Sequence, residues 1–412
     1  MRILYLTQFF DPEPSSIAGM PFAAWLQRRG HEVEVLTGFP NYPGGRFYPG
    51  CEPALWRKEM LDGVRVTRVL LYPSHDTSAL RRVANYASFA LSASTLGTAL
   101  TRKADVTYVY HPPVTTGVPA LLWKHARKIP FVYHVQDLWP DSVLESGMLG
   151  SQRVQRAVER MLTSWCAHVY RGASRIAVLS PGFKRILIER GVPGHKIEIV
   201  TNWADEKIFK PEPAEERLAK ELGMAGRFNL VFSGNMGTFQ GLDSAIRAAA
   251  RLRHLERFQL VMIGTGQAEQ QLRALAGEMR LNNVRFLGRR PFKEMGHITA
   301  LASALLVSLE DRPFFAATIP SKTQVALACG RPVVMAVRGD AAALLTEADA
   351  GVVCEPGNDA ALAAAIEQLY LLPRAELDAM GTRGREYYER EMSLDRAATR
   401  LESLLEAAAR ER

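Results

Sequence analysis

The segment 319–334 combines a proline, a lysine and a glycine in a pattern that suits binding of a negatively charged group. The pattern predicts a short helix that begins after Pro320, carries Lys322 in its first turn and ends at Gly330. We expect Ser321 to cap the free N–H groups of the first turn and Gly330 to adopt a left-handed conformation. N–H donors and a cation would then converge where a phosphate could bind. An ordinary strand–helix–strand connection with a surface lysine explains these residues equally well.

Two glycine turns follow predicted buried strands. The first, Gly234-Asn235-Met236-Gly237, follows a strand predicted at 228–232, and the second, Gly264-Thr265-Gly266, follows one predicted at 260–263. Glycines let backbone N–H groups approach a phosphate closely, although a tight turn that needs a positive φ also explains them. Neither turn continues as a P-loop, and neither has the three glycines of the dinucleotide-binding fingerprint.

Polar residues end predicted strands in the first half of the chain. His134 lies near the end of a strand predicted at 131–135, and Asp137 lies two residues after that end. In parallel sheets, polar residues at the carboxyl end of a strand face the ligand crevice. Asp137 could hold a substrate hydroxyl or stabilise developing positive charge, or it could cap the following turn. His134 falls within an apolar alternation, so a core histidine and a catalytic one both remain open. His111 ends another strand, where a proline-fixed turn and a ligand contact are equally good explanations.

The elements that must position these residues alternate between strand and helix patterns along all 412 residues. This alternation predicts parallel sheets covered by helices, and the length suggests roughly two to three domains. The pattern restarts near residue 203, after which a second alternating series begins. We therefore predict an α/β protein with two doubly wound Rossmann-like domains that face each other across a cleft. The predicted domains are 1–203 and 204–382, followed by a charged amphipathic helix at 383–412.

A helix is predicted at 18–29, and a long loop at 38–53 contains Asn41 and Tyr42. A structureless loop of that length inside a domain is usually functional or mobile. In the first domain we predict strands at 2–7, 31–37, 64–71, 106–110, 131–135, 176–179 and 196–200. In the second domain we predict strands at 228–232, 260–263, 284–287, 304–309, 332–337 and 351–354.

The composition is that of a folded protein with an anionic partner. Hydrophobic residues make up 47% of the chain and charged residues 23%, which is typical of globular proteins. The formal net charge of +8 is compatible with phosphate, nucleic acid or a lipid surface as partner. No basic–aromatic interleaving typical of nucleic-acid modules is present, so we expect no nucleic-acid partner. The four cysteines lack metal-ligand spacing, which favours reduced thiols in the cytosol.

Three segments of the first half mix apolar and basic residues at helical spacing, namely 80–103, 123–128 and 153–171. Such helices can lie on anionic lipid, although core helices with solvated basic faces are common. No apolar run reaches the roughly 20 residues of a membrane span. The N-terminal residues pass directly into a predicted strand, without the apolar region of a signal peptide.

Several motifs together resemble those of a known family, and they lie at 5–13, 38–43, 136–141, 233–237, 240–242, 263–266 and 319–322. Over essentially its whole length the chain resembles bacterial retaining glycosyltransferases of family 4, within the branch of the WcaI-type colanic-acid and WbuB-type fucosamine transferases. The resemblance implies a GT-B fold whose C-terminal helix crosses back to the first domain. It also implies transfer of a sugar from a nucleotide-diphosphate donor with retained anomeric configuration, without a metal ion or other cofactor.

The resemblance implies that the second domain binds the donor and the first domain the acceptor. The donor diphosphate and sugar would contact Gly234, Asn235, Gly237, Gln240, Ser321, Lys322 and Gln324. The nucleotide, which we expect to be UDP, would contact Gly264, Gly266, Arg289 and Arg290. In the first domain Asp137 and His134 would be catalytic, and the acceptor side would include Phe10, Asp11, Asn41, Tyr42 and His111.

The relatives implied by this resemblance build on polyprenyl-diphosphate-linked sugars. We therefore expect a lipid-linked saccharide acceptor, a donor sugar such as N-acetylfucosamine or another hexose derivative, and a role in exopolysaccharide, capsule or O-antigen biosynthesis. The expected location is cytoplasmic, in peripheral contact with the inner face of the cytoplasmic membrane. A sugar-nucleotide 2-epimerase of the same fold and a non-catalytic nucleotide-sugar-binding protein remain alternatives.

The chain departs from the family pattern where relatives bind the donor. Many members have Arg and Lys in the glycine loop, where this chain has Asn235 and Gln240. The Glu-x7-Glu signature is also broken, because Val325 occupies the position of the second Glu, which typically binds the ribose. The cationic role therefore falls on Lys322, with Arg290, Arg312 and Arg338 as candidates to assist it.

Overall fold

The chain folds into two α/β units, each built around its own sheet. This computed structural model describes residues 1–14, 17, 19–75, 78–145 and 152–411. The first unit spans Met1–Thr201 and the C-terminal segment that starts at Leu394, and the second spans Asn202–Ser393. The predicted α/β class with two doubly wound parallel sheets is confirmed.

The sheet of the first unit has eight strands. They are β1 (Arg2–Leu6), β2 (Glu32–Gly38), β3 (Trp56–Leu61), β4 (Val64–Val69), β5 (Val106–His111), β6 (Phe131–Val135), β7 (Arg175–Val178) and β8 (Ile197–Ile199). Their order is β3-β4-β2-β1-β5-β6-β7-β8, and β3 is antiparallel to β4 whereas the other neighbours are parallel. Both faces of the central strands are buried, which explains their nearly continuous apolar sequences.

Strand β3 is absent from the sequence-based prediction. Its six residues, Trp56-Arg57-Lys58-Glu59-Met60-Leu61, alternate between exposed and half-buried because it lies at the edge of the sheet and pairs only with β4. A strand without a buried face lacks the apolar pattern from which strands are predicted.

Helices cover the first sheet. They are α1 (Met20–Arg28), α2 (Ala79–Ser92), α3 (Thr98–Leu100), α4 (Gly117–Arg127), α5 (Asp141–Glu145), α6 (Gln152–Gly172) and α7 (Pro181–Glu189). A π-helical turn, Ala93–Gly97, joins α2 to α3. The helix predicted at 18–29 corresponds to α1, and Ala18 lies outside the described residues. Within the described part of the chain, no helix combines the length and the apolar character needed to cross a membrane.

The sheet of the second unit contains six parallel strands, all of them predicted. They are β9 (Phe228–Ser233), β10 (Phe258–Ile263), β11 (Val284–Gly288), β12 (Ala304–Ser308), β13 (Val333–Ala336) and β14 (Gly351–Val353), in the order β11-β10-β9-β12-β13-β14. The helices of this unit are α8 (Glu216–Leu222), α9 (Leu242–Arg251), α10 (Glu269–Glu278), α11 (Met295–Ala300), α12 (Ser321–Ala328), α13 (Asp340–Ala348), α14 (Asp359–Leu371) and α15 (Arg374–Glu391).

The two ends of α12 differ in how far they match the prediction. Pro320 occupies the N-cap position, and no side chain of the residues that the structure describes caps this end of the helix. The predicted capping by Ser321 is therefore wrong, because Ser321 is already the first helical residue and its hydroxyl cannot take the N-cap position. Gly330 has a φ of 62°, so the predicted left-handed residue after the helix is confirmed.

The single helix predicted from residue 383 onwards is in fact the end of α15 followed by a separate helix, α16 (Leu394–Arg410). Helix α16 packs on the first unit, as the resemblance implied. The indole Nε1 of Trp25 donates to Asp395 Oδ1 at 2.9 Å, and His31 Nε2 lies 2.7 Å from Glu402 Oε1.

Each sheet has one place where the strand order reverses direction. In the first unit this switch point lies between β1 and β5, and in the second unit it lies between β9 and β12. Ligands of open α/β sheets bind outside the carboxyl ends of the strands at such a point. The loops that follow these four strands are therefore the places to look for a site in each unit.

Candidate functional site

Lys322 lies at the switch point of the second unit, beside the loop that follows β9. Its Nζ atom donates to Gln240 Oε1 at 2.8 Å and lies 4.9 Å from the centre of the Phe232 ring. A Cβ atom on Gly234 would lie 3.1 Å from Lys322 Cε, so the loop backbone and the lysine are in close contact. The structure thus brings together three of the predicted donor-site residues, two from the loop after β9 and one from the first turn of α12.

The charge of Lys322 is not matched by a carboxylate. Within the described part of the chain Lys322 forms no ion pair, whereas Arg312 pairs with Glu310 at 2.8 Å and Arg338 pairs with Asp311 at 3.1 Å. Burial lowers the pKa of Lys322 to about 8, because the ammonium group loses part of its hydration. A half-buried cation without a counter-ion is suited to receive an anionic ligand.

The glycine turns of the second unit pack against each other. A Cβ atom on Gly264 would lie 1.9 Å from the carbonyl oxygen of Gly234, and one on Gly266 would lie 2.5 Å from that of Met236. Gly264 also has a φ of 126°, a backbone conformation that residues other than glycine rarely adopt. Loop packing therefore requires both glycines independently of any bound phosphate, which was the alternative left open by the sequence.

The remaining predicted residues after β9 and β11 lie at the same edge of the sheet. Asn235 is exposed, and its side chain lies close to Gly237 and Gly266. Arg289 and Arg290 directly follow β11; Arg289 is exposed and Arg290 is half-buried. Their roles towards a nucleotide remain predictions.

Ser321 and Gln324 differ in accessibility although both belong to α12. Ser321 is exposed. Gln324 is buried, and with its amide nitrogen turned towards the start of the helix it donates to the carbonyl oxygens of Pro320 at 2.7 Å and Ser321 at 3.1 Å. Gln324 therefore holds the first turn of α12 together, and a contact with a donor would require it to give up these bonds.

A cavity of about 850 Å³ lies at the switch point of the first unit. Most of its walls come from the loops after β1 and β5, from the segment after β6, and from α2 and α6, and Tyr42 of the loop after β2 also lines it. Most of the lining is aromatic or aliphatic, and the aromatic residues are Phe9, Tyr42, Tyr86, Tyr110, Trp139 and Trp165. The lining residues with a carboxyl, imidazole or guanidinium group are Glu13, His75, Arg82 and Asp137.

Asp137 is placed in the cavity wall two residues after the end of β6. Burial raises the pKa of its carboxyl group, because the charged form loses hydration. A carboxylate with a raised pKa is a stronger base towards a substrate hydroxyl than an exposed aspartate. Of the predicted acceptor-side residues, Tyr42 lines the same cavity.

His134 is completely buried and does not line the cavity. Its Nδ1 lies 2.6 Å from the Tyr108 hydroxyl and its Nε2 lies 2.9 Å from Gln136 Nε2. Because the amide nitrogen donates to Nε2, the proton of the neutral ring lies on Nδ1 and is donated to Tyr108. Burial also lowers the pKa of His134 to about 3. This is the placement of a core histidine, one of the two interpretations that the sequence left open.

His111 is also fully buried, between the rings of Tyr133 and Trp139, whose centres lie 5.6 and 5.8 Å from its own. Neither ring nitrogen has a hydrogen-bond partner among the described residues. Burial, with a smaller contribution from His134, lowers the pKa of His111 to about 3. His111 does not line the cavity itself, although it contacts Trp139, which does.

Phe10 and Asp11 do not line the cavity, so the prediction of direct acceptor contacts needs correction for both. Phe10 is fully buried and packs edge-on against Tyr5, whereas the preceding Phe9 lines the cavity. Asp11 Oδ2 accepts a hydrogen bond of 2.6 Å from the backbone N–H of Met20, at the start of α1. Both residues therefore support the loop that carries Phe9.

Glu13 is a site residue that the prediction missed. Its carboxylate accepts hydrogen bonds from the backbone N–H groups of Phe10 at 3.0 Å and of Asn41 and Tyr42 at 2.7 Å each. Burial raises its pKa even though these bonds act in the opposite direction. Glu13 thus ties the loop after β1 to the loop that contains Tyr42. The signal that could have identified it is its position in the motif at 5–13.

Asn41 is buried behind the cavity rather than in its wall. Its amide nitrogen donates to the Phe39 carbonyl oxygen at 3.0 Å, and its oxygen lies 3.4 Å from the amide nitrogen of Asn85 in α2. Asn41 therefore positions the loop next to Tyr42 and does not itself reach the cavity where an acceptor could bind.

Two family models match the chain. One, described as "Glycosyl transferase 4-like domain", matches residues 20–203, and another, "Glycosyl transferases group 1", matches residues 227–371. The first range contains Asp137 and most of the cavity, and the second contains Gln240 and Lys322. The chain belongs to the family 4 glycosyltransferases. Within the part of this glycosyltransferase that the structure describes, no group of three or more His, Cys, Asp or Glu side chains could hold a metal ion.

Two relatives of this glycosyltransferase are themselves named as glycosyltransferases. It is 28% identical over 400 residues to the "Putative colanic acid biosynthesis glycosyl transferase WcaI" of Escherichia coli, covering 95% of this chain and 96% of the relative. It is 25% identical over 283 residues to the "Probable glycosyltransferase WbjE" of Pseudomonas aeruginosa, covering 68% and 70% of the two chains.

Solved structures of similar fold confirm the GT-B class. HepE of Anabaena in complex with UDP-glucose matches with a TM-score of 0.69 and 18% identity, covering 99% of this chain and 100% of the other. A UDP-forming trehalose-phosphate synthase of Burkholderia xenovorans matches with a TM-score of 0.70 and 15% identity, covering 99% of each chain.

Proposed function

We propose that this glycosyltransferase moves a sugar from a UDP-linked donor to a lipid-linked saccharide acceptor during exopolysaccharide, capsule or O-antigen biosynthesis, with retention of anomeric configuration. The observation that carries the proposal is the Lys322 ammonium, which has no ion-pair partner among the described residues and is held by Gln240 at the switch point of the second unit. The name of the WcaI relative, which refers to colanic acid biosynthesis, supports a role in polysaccharide assembly, and the UDP-glucose bound to HepE supports the class of donor.

On the donor side, the proposal assigns stabilisation of the leaving diphosphate to Lys322 and the free N–H groups at the start of α12. No side chain in the described part of the chain caps these N–H groups. Donors and a cation aimed at the place where negative charge develops lower the barrier to departure of the diphosphate. This role needs no cation in the glycine loop, where Asn235 and Gln240 stand instead.

On the acceptor side, Asp137 binds the hydroxyl group of the acceptor that reacts with the donor. The acceptor oxygen forms a bond to the anomeric carbon on the face from which the diphosphate departs, so the configuration is kept without an enzyme nucleophile. Asp137 orients the hydroxyl and takes up its proton as the bond to the diphosphate breaks. The raised pKa of Asp137 favours this proton uptake.

Peripheral contact with an anionic membrane is part of the same proposal. Helix α2 contains Arg81 and Arg82 and no carboxylate, and its Leu80 and Leu91 are exposed. Helix α6 contains four arginines and a single glutamate. Cations beside exposed apolar side chains are typical of helices that lie on anionic lipid. Flotation with vesicles should show binding that increases with the fraction of anionic lipid, and binding independent of that fraction would contradict this part.

The decisive experiment compares Lys322→Ala with Lys220→Ala, a lysine on α8 that pairs with Glu216 on the same helix. Thermal unfolding with a panel of nucleotide sugars identifies the donor, since a ligand at a hundredfold its dissociation constant adds about 2.7 kcal/mol. We expect Lys322→Ala to bind that donor at least tenfold more weakly and Lys220→Ala to bind it like the parent.

Turnover of the identified donor is then followed with lipid-linked saccharide extracts. A lipid-linked product with one added sugar supports transfer, whereas a donor that returns with an inverted C2 centre would indicate an epimerase. Tight binding without any product would indicate a binding protein. Equal donor affinity and turnover in Lys322→Ala and the parent would rule out the diphosphate contact.

A further inference from the structure

The cavity of the first unit is more apolar than a saccharide alone requires. Sugar hydroxyls need hydrogen-bonding partners when they are buried, but the cavity is lined largely by aromatic and aliphatic side chains. Of its two carboxylates, Glu13 already accepts three backbone hydrogen bonds, which leaves Asp137 as the better placed partner for a hydroxyl. Most of the volume therefore suits an apolar group adjacent to the reacting hydroxyl.

The apolar lining continues to the surface along two helices. On α6, Val158, Met161 and Trp165 lie on one face at helical spacing, and Met161 is 62% exposed. On α2, Val83 also lines the cavity and is 60% exposed. Large apolar side chains at the rim provide a continuous apolar path from the outside to the interior of the cavity.

We propose that this cavity binds the apolar chain of the lipid acceptor, next to the anionic group that links the chain to the saccharide. This inference rests on the proposed function and names the part of the acceptor that the first unit recognises. The volume of about 850 Å³ falls within the range of roughly 300–1,000 Å³ typical of sites that enclose small organic ligands.

Charge complementarity favours a lipid with an anionic head over an uncharged or protein partner. Arg82 lines the cavity, and the neighbouring Arg81 lies on the same carboxylate-free helix. The arginines of α6 add to this positive surface. A phosphate or diphosphate at the rim would meet these cations while its chain occupies the apolar interior.

The test uses farnesyl diphosphate as probe, with binding followed by calorimetry and by the fluorescence of Trp139 and Trp165. Inorganic diphosphate serves as the head without the chain, and farnesol as the chain without the head. Val158→Trp fills the cavity, and Val154→Trp is the matched control, since Val154 lies one turn away on α6 and outside the lining. Val83→Trp obstructs the cavity from α2 in case Val158→Trp folds poorly.

We expect the parent and Val154→Trp to bind farnesyl diphosphate at least tenfold more tightly than inorganic diphosphate. Val158→Trp and Val83→Trp should each bind it at least tenfold more weakly than the parent, with unfolding temperatures close to that of the parent. Equal affinity in the parent and both cavity variants would overturn the inference. Equal affinities of the parent for farnesyl diphosphate and inorganic diphosphate would also overturn it. The same holds if light scattering shows that the parent is a dimer and that Val158→Trp and Val83→Trp are monomers, because a second copy would then cover the cavity.

Measurements with UDP distinguish a failure of this inference from a failure of the proposed function. UDP should bind the second unit with the same affinity in the parent, Val154→Trp, Val158→Trp and Val83→Trp. If no sugar is transferred but farnesyl diphosphate binding depends on Val158 as expected, the lipid site stands and the proposed transfer is wrong. If transfer to a lipid-linked saccharide proceeds with unchanged kcat/KM in Val158→Trp, the transfer stands and the lipid site is wrong.

Discussion

Lys322 Nζ donates to Gln240 Oε1 at 2.8 Å, and this bond joins the first turn of α12 to the loop after β9. The two residues are 82 positions apart in the chain. An amide oxygen orients the ammonium group but does not neutralise it, because the amide carries no net charge. The site therefore keeps its positive charge for an anionic ligand, although neither residue by itself suggests a pair.

Replacing Gln240 with Glu should weaken donor binding. A carboxylate at this position would form an ion pair with Lys322 and repel the diphosphate, so we expect the dissociation constant for UDP to rise about tenfold. Calorimetric titration with UDP measures this change. Gln240→Leu is the control, because it removes the hydrogen bond but adds no charge, and its effect should stay below about threefold. Unchanged UDP affinity in Gln240→Glu would mean that Lys322 does not contact the diphosphate.

Donor affinity should fall as the pH rises through the pKa of Lys322, which is about 8 in the free protein. A diphosphate binds the protonated ammonium more tightly, so affinity should be level near neutral pH and decline above about pH 8. Lys322→Arg should stay level over the same interval, because a guanidinium group does not lose its proton there. Titrations with UDP between about pH 6.5 and 9.5 compare the two proteins, and identical slopes would contradict the prediction.

The same pKa determines the sign of the effect on stability. The ordinary pKa of lysine is 10.5, so between about 8 and 10.5 the unfolded chain binds more protons at this position than the folded protein. The contribution of Lys322 to the free energy of unfolding should therefore become more favourable as the pH rises through this interval. Comparison with Lys322→Met, which does not titrate, isolates that contribution.

Asp137→Asn should abolish most of the transfer activity and leave donor binding intact. Loss of a general base typically lowers the rate by about 100-fold to 10,000-fold, and the carboxamide keeps the shape of the side chain. Asp141→Asn is the matched control, because Asp141 belongs to the same motif but pairs with Arg190 instead of lining the cavity. The measurement is kcat with the identified donor and a lipid-linked acceptor. Full activity in Asp137→Asn would reduce Asp137 to a structural residue.

Glu13→Ala should destabilise the first unit by about 3 kcal/mol, because two buried backbone N–H groups and one half-buried N–H group lose a charged acceptor. Urea unfolding followed by circular dichroism measures the change. Glu52→Ala is the control, because Glu52 is exposed, and it should change the free energy of unfolding by less than about 0.5 kcal/mol. Similar stabilities of the two variants would show that the loops are held together by other contacts.

The positions of the buried strands follow from local sequence. Val333-Val334-Met335-Ala336 and the apolar runs of the other central strands have to be removed from water on both faces, and this requirement is visible in any short window. Strand β3 cannot be predicted in this way, because its residues are exposed or half-buried and do not have to be removed from water. Local sequence also predicts the left-handed Gly330 after α12, since a residue of that conformation is needed there whatever packs around it.

Side-chain direction at the site was decided only by the tertiary structure. Phe9 and Phe10 are adjacent and chemically identical, yet one lines the cavity and the other fills the core against Tyr5. His134 and Asp137 belong to one motif, but the hydrogen bonds of His134 to Tyr108 and Gln136 keep it in the interior. Such outcomes depend on which neighbours a folded sheet supplies, and those neighbours come from other strands.

The sequence by itself determined the two α/β units, the glycosyltransferase motifs and Lys322 as the candidate cation at the start of α12. Only the tertiary structure decided that Lys322 meets Gln240, that Glu13 ties two loops together, and that α2 and α6 enclose an apolar cavity beside Asp137. The physical reason is that these features are contacts between segments far apart in the chain, formed only when the strands have assembled into a sheet. Hydrophobic periodicity and the left-handed glycine after a helix, in contrast, are properties of neighbouring residues and can be predicted before the chain is folded.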